Sequence, residues 1–220
     1  MPRVWLTIPS KRPVDEANAI FREWHGFGAG VAVFIDKGDP IPSEADIAIT
    51  GDYGGYPRAA NTLCRYVINH DPGVVACICA GDDIHPCKTH TADQLADEFA
   101  DRFPDGYGVM SPVGDGFEAN NCCLISPWFG HGYIKRSYRG KGPWCDEYAH
   151  YWVDAEGFDV AKMQGVLWVR EDVAQHHDHW TRTPGASPPA FLEKWRALNQ
   201  QGLKLYQARK AAGFPGHKPR

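Results

Sequence analysis

The chain has 220 residues, of which 43% are hydrophobic and 23% charged, a make-up that excludes a disordered protein and allows a substantial core. Its net charge of −4 gives no general attraction for nucleic acid, no apolar run reaches membrane-spanning length, and the Met1-Pro2-Arg3 start lacks a signal peptide's apolar core. Seven Cys, with Cys77, Cys79, Cys122 and Cys123 in apolar runs, point to reduced thiols and a cytoplasmic location rather than to a disulfide framework.

Val4-Trp5-Leu6-Thr7-Ile8 opens the chain as a strand that ends in a polar turn, Pro9 to Pro13. Asp15 is placed to cap a helix whose Ala17, Ile20, Phe21 and Trp24 recur at helical spacing, and Gly26, Gly28 and Gly30 end it. Val31 to Ile35 is a second apolar strand, again running into a polar turn that begins at Asp36. A short strand near an edge is expected at 46–50, then a Gly-rich turn at 51–57 and a helix over 58–69.

The strand at 74–80 is followed by a helix over 91–103 capped by Thr91. Further strands are expected at 107–112 and 121–126, with Gly114-Asp115-Gly116 turning between them. Residues 144–151 read as a helix carrying Asp146 and Glu147 in its first turn, and 165–170 as a late strand. A His-rich segment, His176 to His179, comes next. Pro184, Pro188 and Pro189 mark a linker, so that 1–183 form the main domain and 184–220 the linker, a helix over 190–212 and a mobile basic tail from Phe214. Strands alternating with helices predict an α/β fold with a mostly parallel sheet and right-handed crossovers.

The centre of this pattern is Val74-Val75-Ala76-Cys77-Ile78-Cys79-Ala80-Gly81-Asp82-Asp83-Ile84-His85-Pro86. A run that is apolar throughout suits a strand covered on both faces, and two carboxylates emerge at its end, where open parallel sheets hold their ligands. Adjacent like charges repel, and a hard divalent cation carrying phosphate oxygens resolves that repulsion. A strand with an Asp-rich turn explains the stretch equally without a ligand. Asp36, Asp146-Glu147 and the His cluster fall in turns that would share the same sheet edge. Carboxylate and imidazole together suit Mn²⁺ or Mg²⁺. No Cys-x-x-Cys pair is present, which argues against structural zinc.

Basic residues also cluster. Lys135-Arg136-Ser137-Tyr138-Arg139-Gly140-Lys141 precedes Trp144, and seven Lys or Arg with no Asp or Glu lie between Lys194 and Arg220. Basic side chains interleaved with aromatics can hold a phosphate-bearing partner; a solvated loop and a charged helix face explain each cluster as well.

In their order these motifs resemble the GT-A fold glycosyltransferases, family 2 type, over roughly residues 3–180. Thr7 to Pro13, with Pro9 and Arg12, is similar to the first-strand turn that contacts the nucleotide, and Asp36 to the acidic turn that meets base or ribose. Gly54-Gly55-Tyr56-Pro57-Arg58 resembles the helix start that precedes the metal strand. Ala80-Gly81-Asp82-Asp83 stands at the DxD element, with Ala80 in place of its first acid, leaving Asp82 as the first metal candidate and Asp83 as the second. Asp146-Glu147 stands where that family carries its general base, and His177 or His179 where a late His completes the metal shell.

The resemblance implies a Rossmann-like GT-A fold with a C-terminal helix, and transfer of a sugar from a nucleotide-sugar donor, a UDP-sugar first, to a hydroxyl acceptor with inversion. With no membrane segment and two basic clusters, DNA carrying hydroxymethylated bases is one acceptor to expect, making the chain a DNA-modification enzyme. Two other readings stand beside it. One is a sugar-phosphate nucleotidyltransferase, although Pro9 to Pro13 lacks the Gly-rich first turn usual there. The other is a non-catalytic nucleotide- or nucleic-acid-binding module, for which Asp146 and Glu147 would be dispensable.

Overall fold

The computed structural model describes residues 2–117, 122–182 and 191–217, with the backbone alone at 191–196. The elements, in chain order, are β1 (Val4–Pro9), α1 (Val14–Phe27), β2 (Gly30–Asp36), β3 (Ile47–Gly51), α2 (Tyr56–His70), β4 (Ala76–Cys79) and β5 (Ile84–His85). They continue with α3 (Ala92–Arg102), β6 (Val109–Pro112), β7 (Trp128–Gly130), α4 (His131–Arg136), α5 (Val153–Met163), β8 (Leu167–Arg170), β9 (His176–His177) and α6 (Phe191–Ala211).

Seven strands form one sheet in the order β3-β2-β1-β4-β7-β6-β8. All pairs are parallel except those made by β7, which runs against β4 on one side and β6 on the other. The C-terminal ends of β1, β2, β3 and β4 therefore meet at one edge. β1 and β4 lie mid-sheet and are covered on both faces: Val4, Leu6, Ile8, Ala76, Cys77, Ile78 and Cys79 are all fully buried. This continuous burial is why both read as unbroken apolar runs. The edge strand β3 alternates between half-buried and exposed residues, as a strand covered on one face does.

The helices bury one stripe each. α1 turns Ala17, Ile20, Phe21, Trp24 and Phe27 inward, and α2 turns Ala59, Ala60, Leu63, Cys64 and Val67. α3 begins with a full capping box: Gln94 N donates to Thr91 Oγ1, and Thr91 N donates to Gln94 Oε1. Such a cap stabilises a helix by about 1 kcal/mol. α1 has no side-chain cap, because Pro13 holds the capping position and Asp15 sits within the first turn, where the helix dipole favours its charge.

Four expectations change. Residues 122–126 form turns and bends, and the strand that follows β6 is β7, three residues long and starting just after Pro127; Asn121 lies outside the described residues. The stretch 144–151 is a string of turns, and the helix begins only at Val153. Asp15 does not cap α1. The tail is ordered as far as His217: Phe214 is buried, and the His217 ring packs 4.0 Å from that of Tyr138. The Pro-rich linker at 184–189 lies outside the described residues.

α6 is tied to the body by a buried ion pair. Arg209 Nε and Nη2 donate to the two carboxylate oxygens of Glu156 at 2.8 and 2.9 Å, and Tyr138 and Tyr148 each donate a hydroxyl to the same carboxylate at 2.8 Å. Glu156 is fully buried, so four donors replace the water it loses.

Candidate active site

Asp82 and Asp83 leave β4 at the edge where the parallel strands end, and they turn apart. Asp82 faces the β1 turn: its Oδ2 accepts from Ser10 Oγ at 2.9 Å, and Arg12 Nε lies 3.2 Å from its Oδ1. Asp83 faces the other way, toward the two-stranded ribbon in which β5 pairs antiparallel with β9. Ile84 is paired with His177 in that ribbon, and Asp178 N donates to the Asp83 carbonyl at 2.8 Å. This register sets His177 Nε2 3.2 Å from Asp83 Oδ2. Burial by itself would raise the Asp83 carboxyl, but the His177 hydrogen bond and the nearby charges of His177 and Arg12 hold it below the ordinary range.

His177 is fixed from several sides. Phe117 packs 4.9 Å from its ring, its backbone N–H donates to Asp115, and Arg182 donates to its carbonyl and to Asp115. Its Nδ1 is buried without a partner among the described residues. His179 stands 5.0 Å from His177, ring to ring, and its Nδ1 pairs with Thr181 Oγ1 at 2.7 Å; burial and the neighbouring His177 lower its pKa. The structure thus brings together Asp83 with His177, and Asp82 with Arg12.

A divalent cation fits the first pair. One carboxylate and the imidazole nitrogen beside it, His177 Nε2, form the mixed donor set of Mn²⁺ or Mg²⁺. Among the described residues no three or more His, Cys, Asp or Glu side chains converge as metal ligands. The remaining shell would have to come from phosphate oxygens and water, as it commonly does for a cation that serves a phosphorylated substrate.

Asp36 ends β2 beside the same edge. Its Oδ1 accepts from Tyr53 N at 3.0 Å, and Lys11 Nζ lies 3.5 Å from Oδ2. Partial burial, then the charges of Asp36 and Asp82, push the Tyr53 hydroxyl up to about 12. Pro9 closes β1, and the next residue, Ser10, holds Phe34 O through its backbone N–H at 3.1 Å. Arg58 is set apart from this group: its Nε donates to the Asp146 carbonyl at 3.2 Å, on the outer face of α2.

Asp146 and Glu147 do not open a helix. Asp146 is paired with Lys141 at 3.0 Å, and Glu147 with Arg209 at 2.7 Å. The carboxylate that does open a helix nearby is Asp154, in the first turn of α5. Burial raises its pKa, against hydrogen bonds from the first backbone N–H groups of the helix and from Cys123. Burial, then the neighbouring Cys79 and Cys64 thiols, raise the Tyr56 hydroxyl, with Asp154 the least of the causes. The chain enters α5 through Trp152, a left-handed residue at φ 74°, whose indole N–H donates to Asn199 of α6 at 2.6 Å. A non-glycine residue there costs about 1–2 kcal/mol, and the surrounding contacts sustain it. Sequence reasoning missed Asp154. Its signal was Asp154-Ala155-Glu156 at the head of an apolar stripe of Val153, Gly157, Val160 and Ala161 that stops at Gly165.

No protein-family model matches the sequence, and no curated protein is similar to it. Among solved structures the chain is similar to the catalytic domain of Drosophila beta1,4-galactosyltransferase 7 in complex with xylobiose, with 12% identity and a TM-score of 0.55 over 89% of this chain and 79% of that one. It is also similar to a variant of that Drosophila enzyme in complex with manganese, UDP-Gal and xylobiose, with 11% identity and a TM-score of 0.53 over 89% and 80% of the two chains. The likeness is one of fold, and that fold is GT-A.

Proposed function

We propose that this GT-A chain is a metal-dependent glycosyltransferase, moving a sugar from a nucleotide-sugar donor, a UDP-sugar first, to a hydroxyl acceptor. The observation that carries the reading is the Asp83–His177 pair, formed across the β5–β9 ribbon at the sheet edge where open α/β folds bind ligands. Supporting it, the manganese, UDP-Gal and xylobiose named for a structural neighbour are the ligand classes this reading needs.

Asp83 and His177 would hold the cation, which supplies positive charge against the donor's diphosphate. His179, packed against His177, would keep that ring in place. Asp82 would hold Arg12 toward the diphosphate, and Asp36 with the part-exposed Tyr53 would meet the nucleoside, the ring by stacking and the carboxylate by hydrogen bonding. Asp154 would take the acceptor's hydroxyl proton as its oxygen bonds to the anomeric carbon and the bond to the diphosphate oxygen breaks; inversion follows from such a single displacement. A carboxylate made more basic by burial suits this work, whereas Asp146 and Glu147 are each neutralised by a cation. That acid also favours an enzyme over a binding module. For the acceptor we retain a hydroxymethylated base in DNA, for which the cation-lined surface beside Arg58 is the favouring observation.

A panel of nucleotide sugars incubated with the protein and Mn²⁺ tests the proposal. Release of UDP from one of them, abolished by chelation and restored by Mn²⁺, is expected. A folded protein that neither binds nor hydrolyses any nucleotide sugar with Mn²⁺ or Mg²⁺ rejects it, and pyrophosphate release from a nucleoside triphosphate and a sugar phosphate would establish the nucleotidyltransferase instead. Among the described residues no helix is long and apolar enough to cross a membrane.

A further inference from the structure

Arg58, Thr62 and Arg65 follow one another down the outer face of α2 at spacings of four and three, which place them on a single stripe. Lys141 and Asp146 approach that stripe from the loop after α4, and together they wall a cavity of about 210 Å³. The loop is pinned in place. Buried Asn61 donates to Trp144 O at 2.8 Å and accepts from Trp144 N at 3.0 Å. Gly142 at φ +131° lies so close to Asn61 that a β-carbon there would meet its Oδ1 at 2.5 Å.

A second cavity of about 140 Å³ adjoins the first and shares Lys141 and Asp146 with it, adding Arg139, Glu147 and Arg209. The chain's C-terminal part closes it: Arg139 N donates to Gly216 O at 3.1 Å and Arg209 to Pro215 O at 2.9 Å. The two carboxylates of the track are already matched, Asp146 by Lys141 and Glu147 by Arg209. Arg58, Arg65 and Arg139 have no carboxylate within 4.0 Å among the described residues. A protein of net charge −4 thus gathers uncompensated guanidinium groups along one elongated track.

We propose that the track walled by Arg58, Arg65, Arg139 and Lys141 binds the phosphodiester backbone of a nucleic acid strand. Guanidinium groups grip phosphate by paired hydrogen bonds. Two adjoining cavities sharing a lysine suit successive phosphates of one strand, whereas a single phosphate ester would fill only one. Next to Arg65, the exposed ring of Tyr66 is stacked on His70 at 4.0 Å and 17°, a flat face on which a base can rest. At the other end Arg58 stands at the head of α2, two residues from Tyr56, and a strand on the track would be the acceptor proposed above. In that last respect the inference rests on the function proposed above.

Fluorescence anisotropy with a labelled single-stranded oligonucleotide and its duplex, across a salt series, tests it on the intact chain. Affinity is expected to fall linearly with salt on logarithmic axes. Arg65→Glu and Arg139→Glu should each weaken binding about tenfold and flatten the salt slope by about 1, while calorimetric binding of UDP with Mn²⁺ stays at the parent level. No binding of either oligonucleotide at low salt, or variants that bind as the parent does, overturns the proposal. So does equal competition by a phosphorylated monosaccharide or a sulfated polysaccharide. Oligonucleotide binding that follows the expected pattern in a protein that ignores UDP would confirm the track and sink only the transferase reading.

Discussion

His177 Nε2 lies 3.2 Å from Asp83 Oδ2, although 94 residues separate them in the chain. Two short strands make this contact: β5 leaves Asp83 directly, and β9 returns His177 beside it. Neither half can bind a cation tightly alone, so the pair should behave as a unit. Asp83→Asn and His177→Ala are each expected to reduce Mn²⁺-dependent UDP binding by about 10–100-fold, the range for losing a ligand or its orienting partner. Calorimetric titration of UDP with and without Mn²⁺ checks this. Asp82→Asn should weaken donor binding through Arg12 while leaving the Mn²⁺ dependence in place, a different outcome from the Asp83 variant.

Asp154 carries the second prediction, and here the sign of the shift decides it. Its carboxyl is raised by burial, so it stays protonated to a higher pH than an ordinary aspartate, and a base must be deprotonated to act. The acid limb of kcat/KM should therefore fall above the usual aspartate value of about 4. Asp154→Asn should lower kcat by about 10²–10⁴. The same shift has an opposite effect on stability. A raised carboxyl binds its proton more tightly when folded, so stability declines as pH rises from the unfolded to the folded pKa. Removing that enclosed charge should leave Tm equal to the parent's or higher at neutral pH. A variant that is both inactive and strongly destabilised would mark Asp154 as structural.

How far the sequence showed this site depends on the kind of contact. β1, β2 and β4 were legible because strands buried on both faces cannot avoid apolar runs, and the acids after them were legible as breaks in those runs. β5 and β9 were not, since two-residue strands have no periodicity, and their pairing decides which Asp meets the histidine. The aromatic stretch 144–151 looked helical, yet its side chains serve packing against β7 and the start of α2: Trp144 lies 4.8 Å from Phe129, and His150 lies 6.1 Å from Tyr56, ring to ring. α5 starts without a side-chain cap, through a left-handed tryptophan, so the acids of its first turn were its only start signal. The ordered end of the chain was hidden because His217 is held by Tyr133 and Tyr138, far upstream.

The buried Glu156–Arg209 pair yields a third prediction. Four donors converge on a carboxylate with no exposure, so deleting one partner strands the other without water. Arg209→Ala should destabilise the fold by about 3–5 kcal/mol, the usual penalty for breaking a buried ion pair from one side. Urea unfolding measures it. The double replacement by apolar residues of similar volume should cost less than the sum of the single changes. Strict additivity in that cycle would show that the two groups do not depend on each other.

Gly55 supplies the last prediction, one that separates positioning from chemistry. It precedes α2 at φ +105°, and a β-carbon there would stand 2.3 Å from the carbonyl oxygen of Ala149. Both constraints exclude a side chain: the backbone angle disfavours it, and the neighbour is main chain that cannot swing aside. Gly55→Ala should therefore push the 144–150 loop from the start of α2, moving Tyr56 and Arg58 with it. The expected result is a loss of about 2 kcal/mol or more in urea unfolding, the scale for strain at a special backbone angle. Alanine at Gly38 is the control, because φ there is also positive at +94° but nothing stands within 4 Å of an added β-carbon. Its cost should be the conformational part alone, and equal losses at the two positions would show that the Ala149 contact does not constrain the loop.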